Sequence, residues 1–209
     1  MDPKFLGDGP IVVAAAKQDL DALWEFDAVG LIEDKTLMLA AVRQHGMALV
    51  FAGPRMRNDK EVALAAVSHY AWVLEFAGPD MKNDEDVVFA AVKHCGWALE
   101  YAGPGMRNNE KVVLAAVMQD GQALRFAGLD MRNNMVVVLA AVRHCAWALR
   151  FAGPKMQNDK EVVLAAVAQS GRALEFAGPD RQNDQEVVLA AVTQDWQGLR
   201  FAGPDMRNN

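Results

Sequence analysis

A phrase of four residues returns along this chain at a fixed interval of 25. Phe51-Ala52-Gly53-Pro54 comes back as Phe76-Ala77-Gly78-Pro79, Tyr101-Ala102-Gly103-Pro104, Phe126-Ala127-Gly128-Leu129, Phe151-Ala152-Gly153-Pro154, Phe176-Ala177-Gly178-Pro179 and Phe201-Ala202-Gly203-Pro204. The interval never slips. A period of this size limits a chain to stacked supersecondary units, because one unit cannot bury its own apolar face and must lean on its neighbours. Phe26 stands on the same ladder. Residues 1–33 therefore read as a degenerate first copy, and residues 34–209 as seven tandem copies that end at a repeat boundary and form one continuous solenoid.

One copy shows what the unit is. Asn158, with Glu161 three residues on, has the spacing of a capping box and precedes the apolar run Val162-Val163-Leu164-Ala165-Ala166-Val167. A buried strand could carry that run, but the cap and the alanines favour a helix. Gly171 suits a helix stop in the left-handed conformation. A second, shorter helix follows over residues 172–177, ended by Gly178 and barred from continuing by Pro179. The expected fold is all-α: an α-solenoid of about eight 25-residue two-helix repeats, elongated to roughly 70–80 Å and open to superhelical curvature. Met56, Met81, Met106, Met131, Met156 and Met206 recur in the loop, with Arg181 in the same slot, and read as flexible plugs between copies.

The loop phrase Phe76-Ala77-Gly78-Pro79-Asp80-Met81-Lys82-Asn83-Asp84 resembles part of a known repeat. So does Glu161-Val162-Val163-Leu164-Ala165-Ala166-Val167 with its corner Gly171 and following Ala173-Leu174. Both resemble the tandem family called domain of unknown function 4116, and the resemblance covers nearly the whole chain. It implies an α-helical repeat, brings no catalytic residues with it, and leaves function open.

Composition narrows the classes. With 52% apolar and 23% charged residues the chain is built to fold. A net charge of −6 argues against nucleic acid as the default partner. No stretch approaches the ~20 apolar residues of a membrane span, and Ile11-Val12-Val13-Ala14-Ala15-Ala16 is too short and wrongly flanked for a signal peptide. Two cysteines, Cys95 and Cys145, suggest a reducing, cytoplasmic setting. Their copies are not adjacent, and a disulfide needs Cα atoms within ~7 Å. His45, His69, His94 and His144 lie at least one helix spacing apart, too far to share a metal ion. No phosphate loop, nucleophile elbow or zincin motif occurs. The expectation is a protein without enzymatic activity, cofactor or metal.

The copies also form their own comparison set. Variation concentrates at the corner between the helices, where three copies carry His69-Tyr70-Ala71-Trp72, His94-Cys95-Gly96-Trp97 and His144-Cys145-Ala146-Trp147. The others place Met47, Gln122, Arg172 and Gln197 in the Trp slot. A slot this tolerant belongs near the surface. Met47, His69, Trp72, His94, Trp97, His144 and Trp147 are therefore candidates for gripping a protein partner, although each Trp could instead cover its own corner. An alternative site is the row Arg57, Lys82, Arg107, Arg132 and Arg207, one cation per copy, which could follow single-stranded RNA or an acidic peptide. Gln157 and Gln182 share that slot, and Asp80, Asp130, Asp180 and Asp205 partly neutralise it. Glu75, Glu100, Arg125, Arg150, Glu175 and Arg200 read as a solvent face. In the sixth copy Leu129 replaces the loop proline and Met135-Val136 replace the polar first turn, giving either a kink or a contact patch. End-to-end association, or further repeats at the C-terminal end, would suit an array that stops at a boundary.

Overall fold

Each long helix begins where an Asp or Asn side chain accepts the first free backbone N–H groups. In the computed structural model, which describes residues 33–207, Asp34 takes Leu37 N–H at 2.8 Å and Asn109 takes Val112 N–H at 3.1 Å. Asp159 takes those of Glu161 and Val162 at 3.0 and 3.2 Å. The cap thus falls one residue later than the Asn158–Glu161 spacing implied, and Glu161 stands at the second helical position, so that capping box is not made. Asn158 is already committed to ending the preceding turn. The degenerate first copy, Glu33 apart, lies outside the described residues.

Within the long helix Lys160–Val167, Val162, Val163, Ala166 and Val167 are buried, Leu164 and Ala165 half-buried and Glu161 exposed. Such a helix packs on two sides, as a repeat requires. The second helix is a 3-10 helix, Gly171–Phe176. With three residues per turn its six side chains align in three rows of two. Gly171 and Leu174 point into the core, Ala173 and Phe176 form a second buried or half-buried face, and Arg172 and Glu175 face water. All seven described copies repeat this pair, and there is no strand among the described residues.

The corner glycine does not act as expected. Ser170, which leads into the 3-10 helix, is extended at φ −148°, and none of Gly46, Gly121 and Gly171 takes the left-handed conformation. What the position needs is room. A Cβ on Gly46, Gly121 or Gly171 would lie 2.7, 2.5 or 2.2 Å from the carbonyl oxygen of Ala66, Ala141 or Ala191, each in the next long helix. Ala71 and Ala146 occupy the same slot as buried methyls.

Proline is also placed differently. Pro54, Pro79, Pro154 and Pro179 do stop the 3-10 helix, but each then opens a four-residue helical turn of its own at the first position, where no N–H is needed. Leu129 does the same in Leu129–Arg132. The sixth copy therefore keeps its elements: Asn134 caps Val136 and Val137, and Met135–His144 runs a full ten residues. Its substitutions leave Leu129 and Val136 exposed rather than bending a helix.

The chain divides into two units, residues 1–106 and 107–209. In the first, Lys35–Gln44 packs on Lys60–Val67, which packs on Glu85–His94. In the second, Glu110–Gln119, Met135–His144, Lys160–Val167 and Gln185–Gln194 stack in order. Copies within a unit are joined at the turn. Gly78 N–H donates to Arg57 O at 2.7 Å and Gly103 to Lys82 O at 2.7 Å in the first unit. In the second, Gly153 donates to Arg132 O at 2.8 Å and Gly178 to Gln157 O at 2.7 Å. Asn58 and Asn183 reach across the same junctions, accepting the N–H of Asp80 and Asp205, each at 3.2 Å. Lysine adds a bridge between helix starts: Lys60 pairs with Asp84 and Asp86, and Lys160 with Asp184 and Glu186.

Candidate interaction edge

The threefold rows of the 3-10 helices decide what reaches the surface. In the first unit the second residues of three neighbouring 3-10 helices, Met47, Trp72 and Trp97, line one edge. Met47 is half-buried, whereas Trp72 and Trp97 are 43% and 39% exposed. Trp72 leans on Tyr70 and Phe76, both at 6.2 Å between ring centres. In the second unit Trp147, 40% exposed, sets its edge against Phe176 of the next copy at 5.7 Å. Trp72 and Trp147 are partial covers: each rests on neighbouring rings and stays open over much of the rest.

One turn further on, the same rows carry Glu75 and Glu100 in the first unit and Arg125, Arg150, Glu175 and Arg200 in the second, all exposed. These side chains border a ladder of aromatic rings rather than bare solvent, a feature sequence reasoning missed. Arg125 lies over Phe126 and Phe151 at 4.9 and 5.9 Å, and Arg150 over Phe151 and Phe176 at 5.2 and 5.5 Å. The regular Phe of the repeat phrase, one residue after an arginine, was the available signal. In the first unit Tyr101 holds the equivalent ring slot. Burial raises its phenol above the usual range, and the carboxylates of Glu75 and Glu100 raise it further.

The histidines divide. His69 and His94 are exposed at the corner. His144, also exposed, turns Nδ1 to accept Gly121 N–H at 3.3 Å from the preceding copy. Gln194 does this for Gly171 at 2.5 Å. The His/Gln slot in these copies is thus a junction between neighbours, met equally by either acceptor. Cys95 and Cys145 are free, half-buried thiols at the ends of long helices.

The alternative row of cations turns inward where its bonds are resolved. Arg57 donates to the carbonyls of Ala52 and Val50 at 2.8 and 2.9 Å, closing the 3-10 helix of its own copy. Arg132 does the same to Ala127 at 2.9 Å and to Arg125. Gln157 and Gln182 replace them, donating to Leu149 and Arg150 and to Leu174 and Glu175. A neutral amide makes bonds of the same kind, so in these four copies the slot serves hydrogen bonding to the end of the 3-10 helix. Lys82 and Arg107 are half-buried and Arg207 is exposed. No group of three His, Cys, Asp or Glu among the described residues could hold a metal ion. No helix among them is long and apolar enough to cross a membrane.

A family model described as Domain of unknown function (DUF4116) matches residues 34–82, 84–132 and 137–181 in tandem. Each match spans about two of the 25-residue copies, so the family's unit is a pair of the repeats seen here. No curated protein and no solved structure matches the chain. With three tandem matches over well more than half of its residues, the chain belongs to the DUF4116 family.

Proposed function

We propose that the chain is a non-enzymatic scaffold for protein–protein interaction, gripping its partner along the outward edge of the 3-10 helices. The observation that carries this reading is the pair Trp72 and Trp97. They stand in adjacent equivalent slots, each about two-fifths open, where Gln122, Arg172 and Gln197 show that the fold needs no aromatic residue. Large rings at a regular pitch give contact area at little cost in side-chain freedom, as binding anchors do. The two free thiols fit a reducing, cytoplasmic setting.

The double replacement Trp72→Gln with Trp97→Gln tests it. Stability should stay within about 1 kcal/mol, since glutamine is native to this slot. Recovery of cross-linked partner from native lysate, quantified by mass spectrometry, should fall at least ~10-fold. A loss of ~3–5 kcal/mol, typical of a buried aromatic truncation, with recovery unchanged below the melting range, would assign the rings to packing alone.

A further inference from the structure

We infer that the edge around Glu75 is a binding site for arginine side chains, and that the partner presents an arginine-rich extended segment. The inference rests on the scaffold reading and names its ligand chemistry. The second unit supplies the template. There Arg150 lays its guanidinium across Phe151 and Phe176, beside Trp147, whose ring meets Phe176. The same three ring slots in the first unit hold Phe76, Tyr101 and Trp72, and the residue in the Arg150 slot is Glu75.

A glutamate side chain is two bonds shorter than arginine's, so Glu75 cannot cover the rings as Arg150 does. It brings a carboxylate to their border instead. Aromatic faces beside a carboxylate suit a guanidinium, which stacks on a ring and pairs in its own plane with both carboxylate oxygens; an ammonium ion can do only part of this. Tyr70, 50% exposed and tilted against Trp72, extends the wall. Tyr101 holds the slot of Phe176, one of the two rings that Arg150 covers, and its phenol is raised first by burial and then by the carboxylates of Glu75 and Glu100. Neighbouring copies stand ~8–10 Å apart. A polyproline helix advances ~9 Å in each three-residue turn, so arginine at every third residue would face one copy after another.

Calorimetric titration of the full chain tests this with three blocked peptides: four Arg-Pro-Pro triplets, the lysine counterpart, and the neutral citrulline counterpart. The arginine peptide should bind, the lysine peptide at least ~5-fold more weakly, and the citrulline peptide not measurably. Glu75→Arg fills the site with the chain's own guanidinium, as Arg150 does. It should weaken binding at least ~10-fold while leaving the melting temperature unchanged. Glu175→Gln should bind like the parent, because Arg172 stands in its Trp slot and pairs with Asp195. Equal binding of the lysine peptide, or full binding to the Glu75→Arg variant, overturns the inference. So does failure of the arginine peptide to bind, and if recovery of the partner still depends on Trp72 and Trp97, the scaffold reading stands without it.

Discussion

Replacing Gly171 by alanine tests whether the corner glycines serve space or backbone conformation. The added Cβ would sit 2.2 Å from the carbonyl oxygen of Ala191, about 1.2 Å short of ordinary contact, and 3.1 Å from both Ala191 C and Asp195 N. All three are backbone atoms of the next long helix or its end, so no side chain can swing aside. The two copies must separate, and the core they share includes Val162, Val163, Ala166, Val187 and Ala191, all fully buried. Overpacking of this kind costs ~1–3 kcal/mol. Ala71 and Ala146 show that a junction can be built around a methyl, so the cost for Gly171→Ala should fall at ~1–2 kcal/mol. For a unit of about 100 residues that lowers the melting temperature by roughly 5–15 °C. Thermal and urea unfolding followed by circular dichroism measure it. Gly171→Asn separates the two explanations, since asparagine tolerates the left-handed conformation but needs more room. It should destabilise more than alanine does. An asparagine variant more stable than the alanine variant, or an alanine variant within 0.5 kcal/mol of the parent, as an order-of-magnitude threshold, would refute the steric account.

Two further predictions follow from the junctions between and within copies. Arg132→Gln should be nearly neutral and Arg132→Ala should lose about 1–2 kcal/mol by urea unfolding, because glutamine at 157 and 182 already closes the 3-10 helix. Burial alone would raise the Asp59, Asp84 and Asp184 carboxyls, yet hydrogen bonds from Lys35, Lys60 and Lys160 and from backbone N–H groups hold them below the usual carboxylate value. Their contribution is complete above the unfolded value of ~3.9 and is lost as pH falls through the lower folded value. Melting temperature should therefore be insensitive to these groups from about pH 5 to 8 and drop below about pH 4, with Asp184→Asn, which keeps a native type of cap, showing a shallower acid limb.

What could be read from the residues alone was whatever the 25-residue period controls. The helices, the family and the surface position of the Trp slot all follow from comparing copies. What escaped was local. Gly171 has two physical uses, left-handed freedom and close approach, and only the position of Ala191 in the next copy chooses between them. Pro179 both stops one helix and starts another, and a four-residue turn is too short to leave a periodic signal. A six-residue 3-10 helix differs little from an α-helix in pattern, so the alignment of Arg172 with Glu175, and of Trp72 with Glu75, was invisible until the threefold rows were seen. The inward turn of Arg57 and Arg132 was better announced: Gln157 and Gln182 in the same slot already pointed to a neutral hydrogen-bonding task.

The turn junctions have a direction. The acceptors of Gly78 N–H and Asp80 N–H, Arg57 O and Asn58 Oδ1, belong to the copy made earlier in synthesis, and Gly178 finds Gln157 O in the same way. During translation, which delivers roughly 5–20 residues each second, every emerging turn therefore meets a finished edge offering a carbonyl oxygen at the right place. Growth can proceed like crystal growth on a prepared face, one layer at a time, with the slow nucleating event needed only once at the start of a unit.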